Sequence, residues 1–116
     1  MDLSDLIGIP YKVHGRDESG LDCFGLIWLI AKRNCTPIHD PVYKGFNCTL
    51  VKLADYVGLK NLDEFKIGCV IEIEREDRLH LGYSIDKNRM IHATLSDGVT
   101  VEDISNYKVK GYWIWE

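Results

Sequence analysis

The chain has no apolar run longer than six residues, the Leu-Ile-Trp-Leu-Ile-Ala of 26–31, whereas a helix needs about 20 to cross a bilayer. A membrane-spanning helix is therefore excluded. An export signal is also lacking: Met1-Asp2-Leu3-Ser4-Asp5 is acidic, where a secretory leader opens on basic residues followed by an apolar stretch. The expectation is synthesis in the cytoplasm without export by that route. Nor is there a basic excess. Fourteen Lys and Arg stand against 18 Asp and Glu, a net charge of −4, so the positive surface that phosphate backbones require is missing and nucleic acid is not an expected partner. Cys-x-x-Cys pairs are absent: the four cysteines, at 23, 35, 48 and 69, are separated by 12, 13 and 21 positions, a spacing that does not fit structural zinc. Cys35 and His39 stand four apart, but Pro37 between them points to a loop and no second pair matches. Neither a metal nor a cofactor is expected. Without a leader, the thiols are expected to stay reduced.

What is present suits a globule. Of 116 residues, 46% are apolar and 28% charged, enough to bury a core within one domain spanning 1–116. Gly8-Ile9-Pro10-Tyr11 reads as an extended entry and 15–20 as a polar loop. Residues 22–33 read as a helix apolar on nearly all sides, with Asp22 as N-cap, Lys32 and Arg33 in the last turn and Asn34 as its stop. Gly25 inside it admits close approach of another backbone. Residues 34–47, with Pro37, Pro41 and Gly45, read as a long loop. Leu50, Leu53, Ala54 and Val57 then fall at helical spacing between Thr49 and Gly58 and predict a short second helix. From Gly68 onward the period falls to two, predicting strands over 69–73, 79–85, 89–95, 99–102 and 109–115. The last, with Trp113 and Trp115, reads as an edge strand with one ring buried. Short connectors at 86–88 and 96–98 favour antiparallel hairpins. The fold class is α+β, helices first and an antiparallel sheet after.

Cys23 falls in the first turn of the predicted helix, where unpaired N–H groups and the helix dipole stabilise an anion and ease ionisation of a thiol. It reads either as a nucleophile behind a flexible glycine loop or as a small buried hydrophobe. A nucleophile needs a base, and four histidines are available. His14 and His39 lie in loops and are expected to face solvent. His80 and His92 lie on consecutive predicted strands. A three-residue loop of Asp86, Lys87 and Asn88, with Asn88 taking the left-handed position, sets Gly82 opposite His92 and makes the two histidines diagonal neighbours, about 7–8 Å apart at the backbone. A two-residue loop puts them on opposite faces instead. In the three-residue register one face carries His80, Gly82, Ser84, Met90, His92 and Thr94, and Gly82 leaves room for the helix bearing Cys23 to come close. Cys23 then reads as nucleophile, His80 as base and His92 as the group that orients His80.

These residues also resemble a family. Gly8-Ile9-Pro10-Tyr11, Gly15, Gly20-Leu21-Asp22-Cys23-Phe24-Gly25-Leu26, His80-Leu81-Gly82-Tyr83 and Ile91-His92-Ala93 follow one another in the order and spacing of the NlpC/P60 family of papain-like cysteine peptidases. The resemblance implies a papain-like fold, its N-terminal helix bearing the nucleophile and packed on a C-terminal antiparallel sheet. It implies a hydrolase of bacterial cell-wall stem peptides, cutting between D-γ-glutamyl and diaminopimelate or lysine through a thioacyl-enzyme. The family's Cys–His–polar triad maps onto Cys23, His80 and His92. Tyr11 would lie by the oxyanion site, Asp22 would help hold the free amine of the stem, and the Cys23 N–H would supply the other oxyanion donor. The chain departs from the family's usual serine at Phe24, which implies an altered substrate pocket, from a common glycine at His14 and from a frequent aspartate at Cys69. A bulky aromatic after the cysteine is similar to phage tail versions, which implies tail proteins as further partners and a virion as location. Two other functions compete: a non-catalytic tail module whose cleft is filled by Phe24 or by the 34–47 loop, and a thiol amidase or acyltransferase working on another substrate.

Overall fold

The computed structural model describes residues 2–36, 38–39, 57–75 and 79–115. Most of the second predicted helix (Leu50, Leu53 and Ala54), most of the 34–47 loop and Cys48 lie outside the described residues.

The entry segment forms a small hairpin of β1 (Arg16–Asp17) and β2 (Gly20–Leu21) where the sequence predicts a loop. It leads directly into α1 (Cys23–Arg33). Asp22 starts this helix because its carboxylate accepts the Gly25 N–H at 2.7 Å, one of the donors that a first turn cannot satisfy internally. The end is a Schellman turn: the Cys35 N–H donates to the Lys32 carbonyl and the Thr36 N–H to that of Ala31. The left-handed residue there is Cys35, φ 59°, one position later than the predicted stop, Asn34.

Among the described residues, six strands follow: β3 (Leu59–Leu62), β4 (Val70–Ile73), β5 (His80–Ser84), β6 (Arg89–Thr94), β7 (Gly98–Asp103) and β8 (Val109–Trp115). They make one antiparallel sheet in the order β3-β8-β4-β5-β6-β7. With α1 packed on this sheet, the architecture is the expected papain-like α+β. β3 escapes the sequence pattern because Leu-Lys-Asn-Leu carries no β-branched or aromatic residue. Its pairing corrects a second expectation: β8 lies inside the sheet and is not an edge. Trp113 is buried, while Trp115 stacks on Tyr83 with ring centroids 5.7 Å apart.

The face that α1 covers carries Val70, Leu81, Ile91, Ala93, Val99 and Trp113. The opposite face buries Cys69, Ile71, Ile73 and Met90 beneath Phe65, Ile104, Tyr107 and Tyr112. β4 is thus covered on both sides, and even Glu72 is buried, its carboxylate accepting the Trp113 Nε1–H at 3.2 Å. Ser84 ties this second face to the turn before β4. Its buried hydroxyl accepts the N–H groups of Gly68 at 2.8 Å and Cys69 at 2.9 Å and donates to the Lys66 carbonyl at 3.0 Å. Ser84→Ala takes the side-chain acceptor from the buried Cys69 N–H and is expected to cost about 1–3 kcal/mol. Urea unfolding checks this, as a lower midpoint with an unchanged slope.

Candidate active site

The site begins at the head of α1. Besides Gly25, the Asp22 carboxylate takes the Arg16 Nη1–H at 2.8 Å on Oδ1 and the His14 N–H at 2.9 Å on Oδ2. It is buried at 3% exposure. Arg16 is held further by the Gly15 carbonyl at 2.8 Å and lies over the Phe24 ring, 5.4 Å from its centroid. Three donors of the chain itself therefore occupy Asp22. The carboxylate thereby caps the helix and anchors the hairpin. Phe24 has no exposed surface and packs in the core, so it neither fills a cleft nor reshapes a pocket. His14 has φ 62°, which accounts physically for a position where glycine is common.

Cys23 occupies the first helical position, so its N–H and those of the next turn point out of the helix end beside the sulfur. Its thiol donates to the Leu79 carbonyl at 3.3 Å. The sulfur therefore sits at the start of β5, against the residue that precedes His80. Gly82 is not the point of approach. A Cβ there would lie 2.5 Å from Met90 Sδ, so this glycine makes room for Met90, on the face away from α1.

The β5–β6 register is the three-residue one, with Gly82 opposite His92, Tyr83 opposite Ile91, and the Ile85 N–H donating to the Arg89 carbonyl. Asn88 is not left-handed; among the described non-glycine residues only His14 and Cys35 have positive φ. Asp86 closes the loop instead, its carboxylate accepting the Asn88 and Arg89 N–H groups at 2.9 and 2.8 Å. As a result His80 and His92 share a face. Their rings meet edge to face, centroids 5.1 Å apart, with His80 Nε2 2.9 Å from His92 Nδ1. Both are buried. His14 and His39 are exposed, as expected for loop residues.

Two residues that sequence reasoning missed complete the cluster. Glu102 Oε2 lies 2.5 Å from His92 Nε2 and accepts the Tyr107 hydroxyl at 2.6 Å. The signal for Glu102 was available: β7 pairs with β6 so that Thr100 faces His92 and Glu102 faces Met90, making Glu102 a diagonal neighbour of His92. Tyr107 follows a 3-10 turn and has no such periodic signal. Burial holds the His92 imidazole below its ordinary pKa, outweighing the nearby Glu102 carboxylate. The Tyr107 hydrogen bond holds the Glu102 carboxyl below the usual range, and burial followed by Glu102 itself pushes the Tyr107 hydroxyl up to about 12.

Beside these groups opens a cleft of about 260 Å³, lined in part by Tyr11, Arg75, His80, Thr94, Glu102 and Tyr107. Tyr11 bridges Leu21 on the strand leading into Cys23, which puts it between the helix head and the cleft. Among the described residues no three His, Cys, Asp or Glu side chains are placed to hold a metal ion.

Residues 8–115 match the profile of the NlpC/P60 family. The chain belongs to that family. It is 28% identical over 114 residues to the probable peptidoglycan endopeptidase LytE of Bacillus subtilis (strain 168), an alignment covering 97% of this chain and 30% of that protein. The NlpC/P60 chain thus spans under a third of the length of this curated relative. The crystal structure of the NlpC/p60 domain of the peptidoglycan hydrolase SagA superposes with a TM-score of 0.65 at 18% identity, covering 97% of this chain and 92% of that one. At that identity the likeness speaks for the shared fold.

Proposed function

We propose that this chain is a cysteine peptidase that hydrolyses the stem peptides of bacterial cell wall. The observation carrying this reading is the 2.9 Å contact between His80 and His92, set at the start of β5 where the Cys23 thiol meets the Leu79 carbonyl. Membership of the NlpC/P60 family and the likeness to a probable peptidoglycan endopeptidase support the substrate class. His80 Nε2 is engaged with His92, so proton exchange with Cys23 runs through His80 Nδ1. The Cys23 sulfur attacks the scissile carbonyl carbon as its proton passes to His80. The oxyanion forms against the Cys23 N–H and Tyr11. The C–N bond then breaks, the leaving amine takes the proton from His80, and a thioacyl-enzyme remains. A water activated by His80 cleaves the thioester and regenerates the thiol. His92 holds the His80 ring in place throughout. Asp22 contributes at one remove, through the cap that fixes the helix head.

The bond assigned is that between D-γ-glutamyl and diaminopimelate or lysine. The tail-module alternative called for a cleft filled by Phe24 or by the 34–47 loop; the burial of Phe24 in the core speaks against the first, and most of the loop lies outside the described residues. Digestion of purified stem peptides, with mass spectrometry locating the new ends, tests the proposal. The expected products are a free D-glutamyl γ-carboxyl and a free diaminopimelate or lysine amine. Stem peptides left whole by wild-type protein, or cut equally well after Cys23→Ala, would overturn it.

A further inference from the structure

The proposed triad stops at His92, but the hydrogen-bonded chain continues to Glu102 and Tyr107. We propose that Glu102 and Tyr107 are positioning residues that fix the direction of the His92–His80 proton chain, an inference that rests on the Cys23–His80–His92 reading. The reason lies in counting donors. An ionised carboxylate only accepts, so the proton between His92 Nε2 and Glu102 belongs to His92. A neutral imidazole has one N–H, which leaves His92 Nδ1 an acceptor. The 2.9 Å contact must then be donated by His80 Nε2. That tautomer leaves the His80 lone pair on Nδ1, the atom required to take a proton from Cys23.

Two histidines alone cannot make this choice. With every proton reversed, the same 2.9 Å contact is satisfied, but His80 carries its proton on Nδ1 and cannot act as base. Glu102 breaks the tie, and Tyr107 holds Glu102 to the task by donating to the same oxygen. The Tyr107 ring also rests against both imidazoles, 5.2 Å from His92 and 6.4 Å from His80 between centroids. Among the described residues, further charged groups that face the chain are Arg75, which acts on His92 and Tyr107, and Asp97, which acts on Tyr107. Both line the cleft.

The test compares wild type with Glu102→Ala, Glu102→Gln and the Glu102→Gln/Tyr107→Phe double variant. It measures kcat and KM on a stem peptide against pH, and nitrogen-15 NMR shifts of the imidazole rings. Wild type should show both buried rings protonated on Nε2. Glu102→Ala should lose on the order of 10²-fold in kcat with KM little changed, and its rings should populate the reversed tautomer. Glu102→Gln keeps an acceptor of the same reach, oriented by the Tyr107 hydroxyl. Its kcat should fall by only about 10-fold and its rings should stay on Nε2. Because the negative charge is gone, the limb of its pH profile that reports the imidazole should move to lower pH, which a purely structural role would not cause. The double variant frees the amide to turn and donate, so its kcat should drop to the Glu102→Ala level. Wild-type tautomers in Glu102→Ala, or an imidazole limb unmoved in Glu102→Gln, would overturn the inference. Failure of the underlying catalytic reading is separate: it shows as a wild type that digests no stem peptide, while the NMR arm still decides the direction of the chain.

Discussion

Cys23→Ala is expected to bring stem-peptide hydrolysis to background, and His80→Ala to lower kcat by about 10³-fold or more. The argument is chemical. Cys23 is the only cysteine that the described structure sets at a helix head beside the start of β5; Cys35 is exposed after the helix end, and Cys69 is buried on the opposite face of the sheet. Among the described cysteines, Cys23 alone therefore combines a helix head with a place beside His80. Removing His80 takes away the imidazole that the proposal sets between the thiol and His92, and leaves His92 Nδ1 without the donor it accepts from. Since the two residues act in one step, the double variant should be no worse than Cys23→Ala alone. Cys23→Ala removes one small side chain and one weak bond to Leu79, so circular dichroism and the thermal midpoint should stay close to wild type. Steady-state kinetics on purified stem peptides, run beside that folding control, checks the pair.

Gly25→Ala should instead remove the fold. In an ordinary helix this change is stabilising by about 1 kcal/mol. Here the added Cβ would lie 2.0 Å from the Gly15 carbonyl oxygen, 2.9 Å from Arg16 Nη1 and 3.1 Å from Asp22 Oδ1. The first contact is with backbone, which cannot rotate away, and the other two belong to the ion pair that caps α1. Relief requires the hairpin to part from the helix, which breaks the Asp22 cap and unseats Cys23. The expected loss is about 3–5 kcal/mol, the scale of overpacking combined with a broken buried ion pair. For a marginally stable domain of this size that is a large share of the total. Denaturant titration tests it, and the far-exposed surface substitution Lys110→Ala serves as the neutral comparison.

Both expectations were partly legible in the chain. Asp22 before an apolar run identified the helix start to the residue, and Gly25 was read as a place of close backbone approach before the Gly15 carbonyl was known to supply it. The register of β5 and β6 followed from counting three residues between Ile85 and Arg89, and that count alone brought His80 and His92 together. What failed was whatever depended on contacts between distant segments. The side of the sheet taken by α1 was misread because glycine beside two histidines suggested space, whereas Met90 fills it. β3 was missed because its pairing with β8 supplies the order that its own residues do not. Glu102 was passed over because a lone glutamate at a strand end looks like solvated charge until the β6–β7 register sets it beside His92.

The central claim is that the Cys23 sulfur is coupled to the His80 imidazole, and the pH dependence of iodoacetamide alkylation at Cys23 measures this most directly. Peptide-resolved mass spectrometry separates Cys23 from exposed Cys35 in the same sample. The account predicts that Cys23 reacts with a midpoint well below the ordinary thiol value of about 8.5, and that His80→Ala moves this midpoint up toward that ordinary value. A Cys23 that stays unmodified, or whose midpoint is the same with and without His80, would contradict it.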